Sequence, residues 1–169
     1  MKTPLVELPV KTAEGEFLAR YSVDGLAELE FPKAGSVRSA DRTPPRGVPT
    51  QIKNWHRLTA AALKNVLAGR TAKNLPPLDW NGKTEFQKSV WRELLKTPSG
   101  KTKSYGEIAA AIGNPKAVRA VGSACGANPI PVLVPCHRIL AANKRIGGFS
   151  GGLERKRALL AREGVQVST

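Results

Sequence analysis

The apolar residues of this chain change period once, and that change most limits what it can fold into. In residues 4–31, Phe17, Ala19, Tyr21 and Val23 alternate with Leu18, Arg20 and Ser22, and Ala27, Leu29 and Phe31 give the next strand an apolar face. A period of two reads as half-buried strand. Glu14-Gly15 and Asp24-Gly25 are hairpin turn signals, so the segment is expected to be a small antiparallel meander. After residue 50 the period is helical. Residues 51–68 suit an amphipathic helix with Trp55, Leu58, Leu63, Val66 and Leu67 on the buried side and Gly69 as the stop. Strands followed by helices predict an α+β fold.

Two polar stretches separate these parts. Residues 32–50 are rich in Pro, Gly, Ser and Arg and read as a long loop; residues 70–83 read as a linker. We place the boundary there, giving an N-terminal domain over 1–80 and a C-terminal domain over 81–169. The second is mostly helical. Thr84 with Gln87, and Ser104 with Glu107, make capping boxes for two helices. Asn114 and Pro115 are expected to open a third, running to about Gly126. A strand near 130–134, a glycine-rich loop over 147–152 and a last helix near 153–163 complete the expectation.

Charge points to the partner. The net charge of the 169 residues is +14. Residues 1–80 carry twelve Lys and Arg against eight acids, and residues 81–169 fifteen against five. A field concentrated in one half suits nucleic acid. No apolar run approaches the roughly 20 residues of a membrane helix, and the N-terminus lacks the apolar stretch of a signal peptide. Two cysteines make no disulfide framework, and two cysteines with two histidines give no zinc-type spacing. The expectation is a cytoplasmic protein, monomeric, without metal or cofactor.

The chemistry concentrates at Val132-Leu133-Val134-Pro135-Cys136-His137-Arg138. A thiol is a strong nucleophile once deprotonated. His137 can serve as base, and Arg138 with the positive field favours thiolate. Neighbouring side chains on an extended segment point to opposite faces, so direct contact needs a turn at Cys136 or a bridging water. Cys125 reads as structural. Glu163 ends the last helix, where a negative charge opposes the helix dipole; it is either an ordinary surface glutamate or an orienting group for a histidine. The helices near 104–126 resemble a helix-turn-helix. Ala117, Val118, Val121 and Ala124 are expected to face inward. The opposite stripe, Arg119, Gly122, Ser123 and Gly126, offers one long cation among small residues, lean enough for a minor groove about 6 Å wide.

These segments resemble the O6-alkylguanine-DNA alkyltransferase family. The likeness is close over roughly residues 84–166: Ser104-Tyr105-Gly106, the run from Gly113 to Gly122, Asn128-Pro129-Ile130-Pro131, Pro135-Cys136-His137-Arg138 and Gly148-Phe149-Ser150-Gly151-Gly152. The first 80 residues match in layout only. The resemblance implies a small N-terminal ribonuclease H-like sheet with a helix, and a C-terminal domain with a helix-turn-helix. It implies irreversible, stoichiometric transfer of an alkyl group from O6-alkylguanine, and from O4-alkylthymine, in double-stranded DNA to Cys136. His137 would act through a water, oriented by Glu163, and Asn128 would hold the turn that places Cys136. Tyr105 would donate to the departing guanine. Arg119 would fill the gap left by the flipped base, while Tyr105, Asn114, Ala120, Gly122 and Ser123 lie along the minor groove. Ile139, Phe149, Ser150 and Gly151 would line the pocket with Tyr105. Phe149 stands where many relatives have tyrosine, and small Gly151 leaves room for adducts larger than methyl. Two other readings stand beside this one: a non-catalytic binder of alkylated bases on the same scaffold, and a Cys-His hydrolase with an unrelated substrate.

Overall fold

A computed structural model describes residues 4–34 and 45–168. Most of the Pro-rich loop expected over 32–50 lies outside the described residues.

The meander forms as its turn signals require. Strands β1 (Val6–Thr12), β2 (Gly15–Tyr21) and β3 (Leu26–Glu30) make an antiparallel sheet in the order β1-β2-β3. Gly25 takes φ +154° and sits so close to the Pro77 carbonyl that a Cβ would collide with it. The expected faces hold in β2 and shift in β3. A register irregularity at Arg20/Tyr21 pairs Tyr21 with Leu26 and Arg20 with Glu28. Ala27 is the extra residue, so Leu26 and Leu29 are buried rather than Ala27 and Leu29. Val23 falls in the turn and is 69% exposed. On the other face Arg20 reaches Glu7, Glu28 and Glu30 at 2.7, 3.0 and 2.8 Å, a cross-strand charge cluster.

Helix α1 (Thr50–Leu67) packs on the apolar face through Ile52, Trp55, Ala62, Leu63 and Val66. Leu58, expected inside, lies on the outer side. The next segment packs down rather than hanging free. Leu26 N–H donates to Pro77 O and Asp79 N–H to Leu26 O, both at 2.8 Å. Trp80 rests against Trp91, ring centroids 5.4 Å apart. One apolar cluster therefore runs from the sheet into the helices.

The C-terminal helices are α2 (Glu85–Leu95), α3 (Tyr105–Ala111), α4 (Val118–Gly126) and α5 (Leu153–Arg162). Both capping boxes form, Thr84 with Gln87 and Ser104 with Glu107. The expected Asn114 cap does not. Asn114 N–H donates back to Ala109 O, closing α3, and Ala117 N–H donates to Asn114 O. Pro115 thus sits in a turn, and α4 begins three residues later than expected. Its buried side is Val121, Ala124 and Cys125, while Val118 points outward. Trp91 Nε1 donates to Ala124 O at 2.9 Å and fixes α2 against α4.

The strand expected at 130–134 is instead a buried tight turn. Val134 N–H donates to Ile130 O at 3.0 Å, and Val132 takes φ +73°. That conformation is costly for a β-branched residue and persists only where the surroundings enforce it. A short parallel pair, β4 (Lys103–Ser104) with β5 (Ile139–Leu140), then ties the start of α3 to the chain just after Cys136.

Candidate active site

Cys136, His137 and Arg138 form one turn of 3-10 helix immediately after Pro135, and all three are buried. A turn at the cysteine, one of the two expected ways to bring thiol and imidazole together, is therefore present. It is held by Asn128. The Asn128 amide donates to Val134 O at 2.9 Å and to Cys136 Sγ at 3.3 Å, and its Oδ1 accepts from Ile130 N–H at 3.0 Å. One buried side chain therefore spans the whole 130–136 turn and touches the sulfur it delivers.

Glu163 is not a surface residue; its side chain is fully buried. His137 Nε2 lies 3.0 Å from Glu163 Oε1. Arg138 Nε donates to both carboxylate oxygens at 3.1 and 3.0 Å, and Nη2 to Oε1 at 2.8 Å. Arg138 Nη1 also donates to Thr97 O at 2.7 Å. Burial alone raises the Glu163 carboxyl, but the bonds from His137 and Arg138 outweigh it and bring it down to about 2. Burial pushes the His137 imidazolium the other way, making it less basic, partly offset by Glu163. A neutral imidazole facing an ionised carboxylate must carry its proton on Nε2. That leaves the lone pair on Nδ1, which is buried without a hydrogen-bond partner among the described residues.

The thiol itself is not spontaneously ionised. Burial pushes Cys136 up, against the Asn128 bond and the charge of Lys156. The cation near the sulfur is therefore Lys156, not Arg138, whose guanidinium is committed to Glu163. Lys156 is completely buried, and its Nζ donates to Ile139 O at 2.7 Å, Gly148 O at 3.3 Å and Gly147 O at 3.4 Å. It pins the glycine-rich loop to the chain after Cys136. Sequence reasoning missed it, although a signal exists: Lys156 falls on the same α5 face as Leu159 and Leu160, three and four residues on.

The other expected pocket residues surround this core. Tyr105 opens α3 and is half-buried, its hydroxyl pressed on Gly147. Burial, with Cys125 and Cys136 nearby, pushes its phenol up to about 12, so it remains a proton donor. Phe149 stands edge-on to His137, centroids 6.5 Å apart. Ile139 is buried, its carbonyl accepting from Lys156, while Ser150 is exposed beside half-buried Gly151. The room expected over Gly151 is already filled: a Cβ there would stand 2.7 Å from Phe31 Cζ and 2.8 Å from Phe149 Cε1. Asn114, Arg119, Ala120 and Ser123 are exposed and Gly122 is half-buried, on the outer side of α4 and the turn before it. The structure thus sorts the expected residues into a buried reactive set and an exposed face. Cys125 is buried on the inner side of α4.

Residues 85–165 match the family described as 6-O-methylguanine DNA methyltransferase, DNA binding domain. A Mycobacterium tuberculosis relative named methylated-DNA–protein-cysteine methyltransferase is 50% identical over 101 residues, 60% of this chain and 61% of the relative. A Methanosarcina acetivorans protein of the same name is 57% identical over 81 residues, 48% of this chain and 52% of its own. The aligned parts thus span between half and two thirds of these curated relatives. A crystal structure of Mycobacterium tuberculosis OGT in complex with DNA superposes with a TM-score of 0.70 at 36% identity, covering 94% of this chain and 92% of that one.

Proposed function

We propose that this chain, which belongs to the 6-O-methylguanine DNA methyltransferase family, repairs O6-alkylguanine in duplex DNA by moving the alkyl group onto Cys136, once per molecule. The observation that carries the reading is the buried His137–Glu163 pair with Nδ1 unpaired among the described residues, beside a thiol held by Asn128.

The reaction follows from these groups. His137 Nδ1 takes the thiol proton through a water, and Glu163 stabilises the imidazolium that forms. The thiolate attacks the saturated alkyl carbon from the side opposite O6. The S–C bond forms as the C–O6 bond breaks, and the electron pair leaves with guanine. Tyr105 donates toward the departing base, and the His137 proton restores the balance. The product is a thioether that water does not cleave, so Cys136 stays alkylated and the protein is consumed. O4-alkylthymine offers the same exocyclic C–O bond and is a second substrate in this reading.

A base inside a duplex cannot reach a buried sulfur, so it must be flipped out, which costs a few kcal/mol. In this reading α3 and α4 act as a helix-turn-helix laid along the minor groove. Arg119 fills the gap in the stack, and the small Gly122 and Ser123 let the helix approach closely. The protein works as a monomer in the cytoplasm, where a reducing environment keeps Cys136 a free thiol.

The test is intact-mass analysis after mixing with excess duplex containing O6-methylguanine. The expected result is one methyl group per chain, mapped to Cys136 and absent from Cys136→Ala. DNA binding without an adduct would favour the non-catalytic lesion binder, and multiple turnover the hydrolase; either overturns the proposal.

A further inference from the structure

We infer that Phe31, at the end of β3, is a specificity-determining residue that limits the size of the alkyl group admitted to Cys136. The inference rests on the transfer reading above and assigns the N-terminal sheet a part in that site.

An open cleft of about 490 Å³ lies between the sheet and the reactive half. Leu29, Phe31 and Pro32 line it from one side, and Asn128, Pro131 and Gly151 from the other. Asn128, which lines the cleft, also donates to Cys136 Sγ at 3.3 Å, so one side chain joins the cleft wall to the sulfur. Within it Phe31 covers Gly151, and its ring meets Phe149 at a centroid distance of 5.7 Å and an angle of 74°. Phe149 in turn meets His137. An aromatic series therefore runs from Phe17 in the sheet core through Phe31 and Phe149 to the base.

Phe31 is clamped in place. The Arg155 guanidinium lies over its ring at 4.8 Å, and Arg155 Nη2 donates to Pro32 O at 2.9 Å. Leu29 N–H donates to Pro129 O at 2.9 Å, fastening β3 to the turn that begins at Asn128. A methyl adduct is small enough to react without disturbing this wall. A benzyl adduct needs the space above Gly151 and must displace Phe31 from Phe149 and Arg155. Losing one aromatic pair costs up to about 1.4 kcal/mol, or about tenfold in rate.

The experiment compares rate constants for alkylation of Cys136 by duplexes carrying O6-methylguanine and O6-benzylguanine. Phe31→Ala is expected to raise the benzyl-to-methyl ratio about tenfold. Phe31→Leu, which keeps an apolar side chain on the core, is expected to raise it about threefold and carries the test independently of how the alanine variant folds. Methyl transfer with an unchanged or lower ratio in the folded variant overturns this inference alone. Transfer of neither group by the unaltered chain overturns the proposed function and this inference together.

Discussion

Replacing Glu163 by Gln removes the charge that His137 and Arg138 share. The magnitude follows from the burial of all three side chains. A carboxyl that falls from its ordinary 4.5 to about 2 on folding corresponds to about 3 kcal/mol of stability at neutral pH. Removing one partner of a buried ion pair costs a similar amount, roughly 3–5 kcal/mol, because the other charge is left unpaired. The expected loss for Glu163→Gln in urea unfolding at pH 7 is therefore about 3 kcal/mol. The pH dependence has a definite sign. The folded value lies below the unfolded one, so this contribution is complete above about pH 4.5 and disappears as pH falls toward about 2. The unaltered protein should lose stability through that window, and the variant should lose correspondingly less. The variant also leaves the imidazolium without its carboxylate. Alkylation of Cys136 by O6-benzylguanine in a single-turnover assay should slow by about a hundredfold or more. A variant as stable as the unaltered protein at pH 7, or one with the same acid-induced loss, refutes the buried-pair reasoning. A stability loss with an unchanged rate refutes the role of Glu163 in the relay.

Arg119→Ala should slow repair in duplex DNA by about tenfold, the worth of roughly 1.4 kcal/mol of stack compensation, while reaction with free O6-benzylguanine stays unchanged; equal losses on both would contradict its part in flipping. Lys156→Met removes the bonds from the buried ammonium to the carbonyls of Ile139, Gly147 and Gly148 and should cost about 1–3 kcal/mol in thermal or urea unfolding. It also removes the charge that draws the Cys136 thiol down, so the pH profile of iodoacetamide labelling should move upward; an unmoved profile would show that Lys156 serves structure alone.

Helix starts were legible because they are local. Thr84 with Gln87 and Ser104 with Glu107 satisfy their own orphan N–H groups within four residues, whatever packs around them. The Asn114 cap failed to an equally local alternative: Gly113 and Asn114 close α3 on Ala110 O and Ala109 O, Ala117 N–H goes to the Asn114 backbone carbonyl, and Pro115 suits a turn as well as a first helical position. The 130–134 stretch misled because a short apolar run marks burial, not conformation. Asn128 converts that run into a turn by bonding both Ile130 N–H and Val134 O.

By itself the sequence determined part of the composition of the site. It singled out Cys136 as nucleophile with His137 beside it, and offered Glu163 as an orienting group from its odd place at a helix end. Its resemblance added the part of Asn128. Only the tertiary structure decided the electrostatics. Whether a charge is solvated or buried depends on what folds over it, and two assignments turned on that. Glu163 is buried and ionised between His137 and Arg138, so the lone pair of the His137 imidazole falls on Nδ1. The cation whose charge acts on the sulfur is Lys156, buried on the inner face of α5. The space over Gly151 is taken by Phe31, more than a hundred residues earlier in the chain, because β3 docks on Pro129. A contact at that separation leaves no trace in local pattern; it exists only once the sheet and the reactive turn share one core.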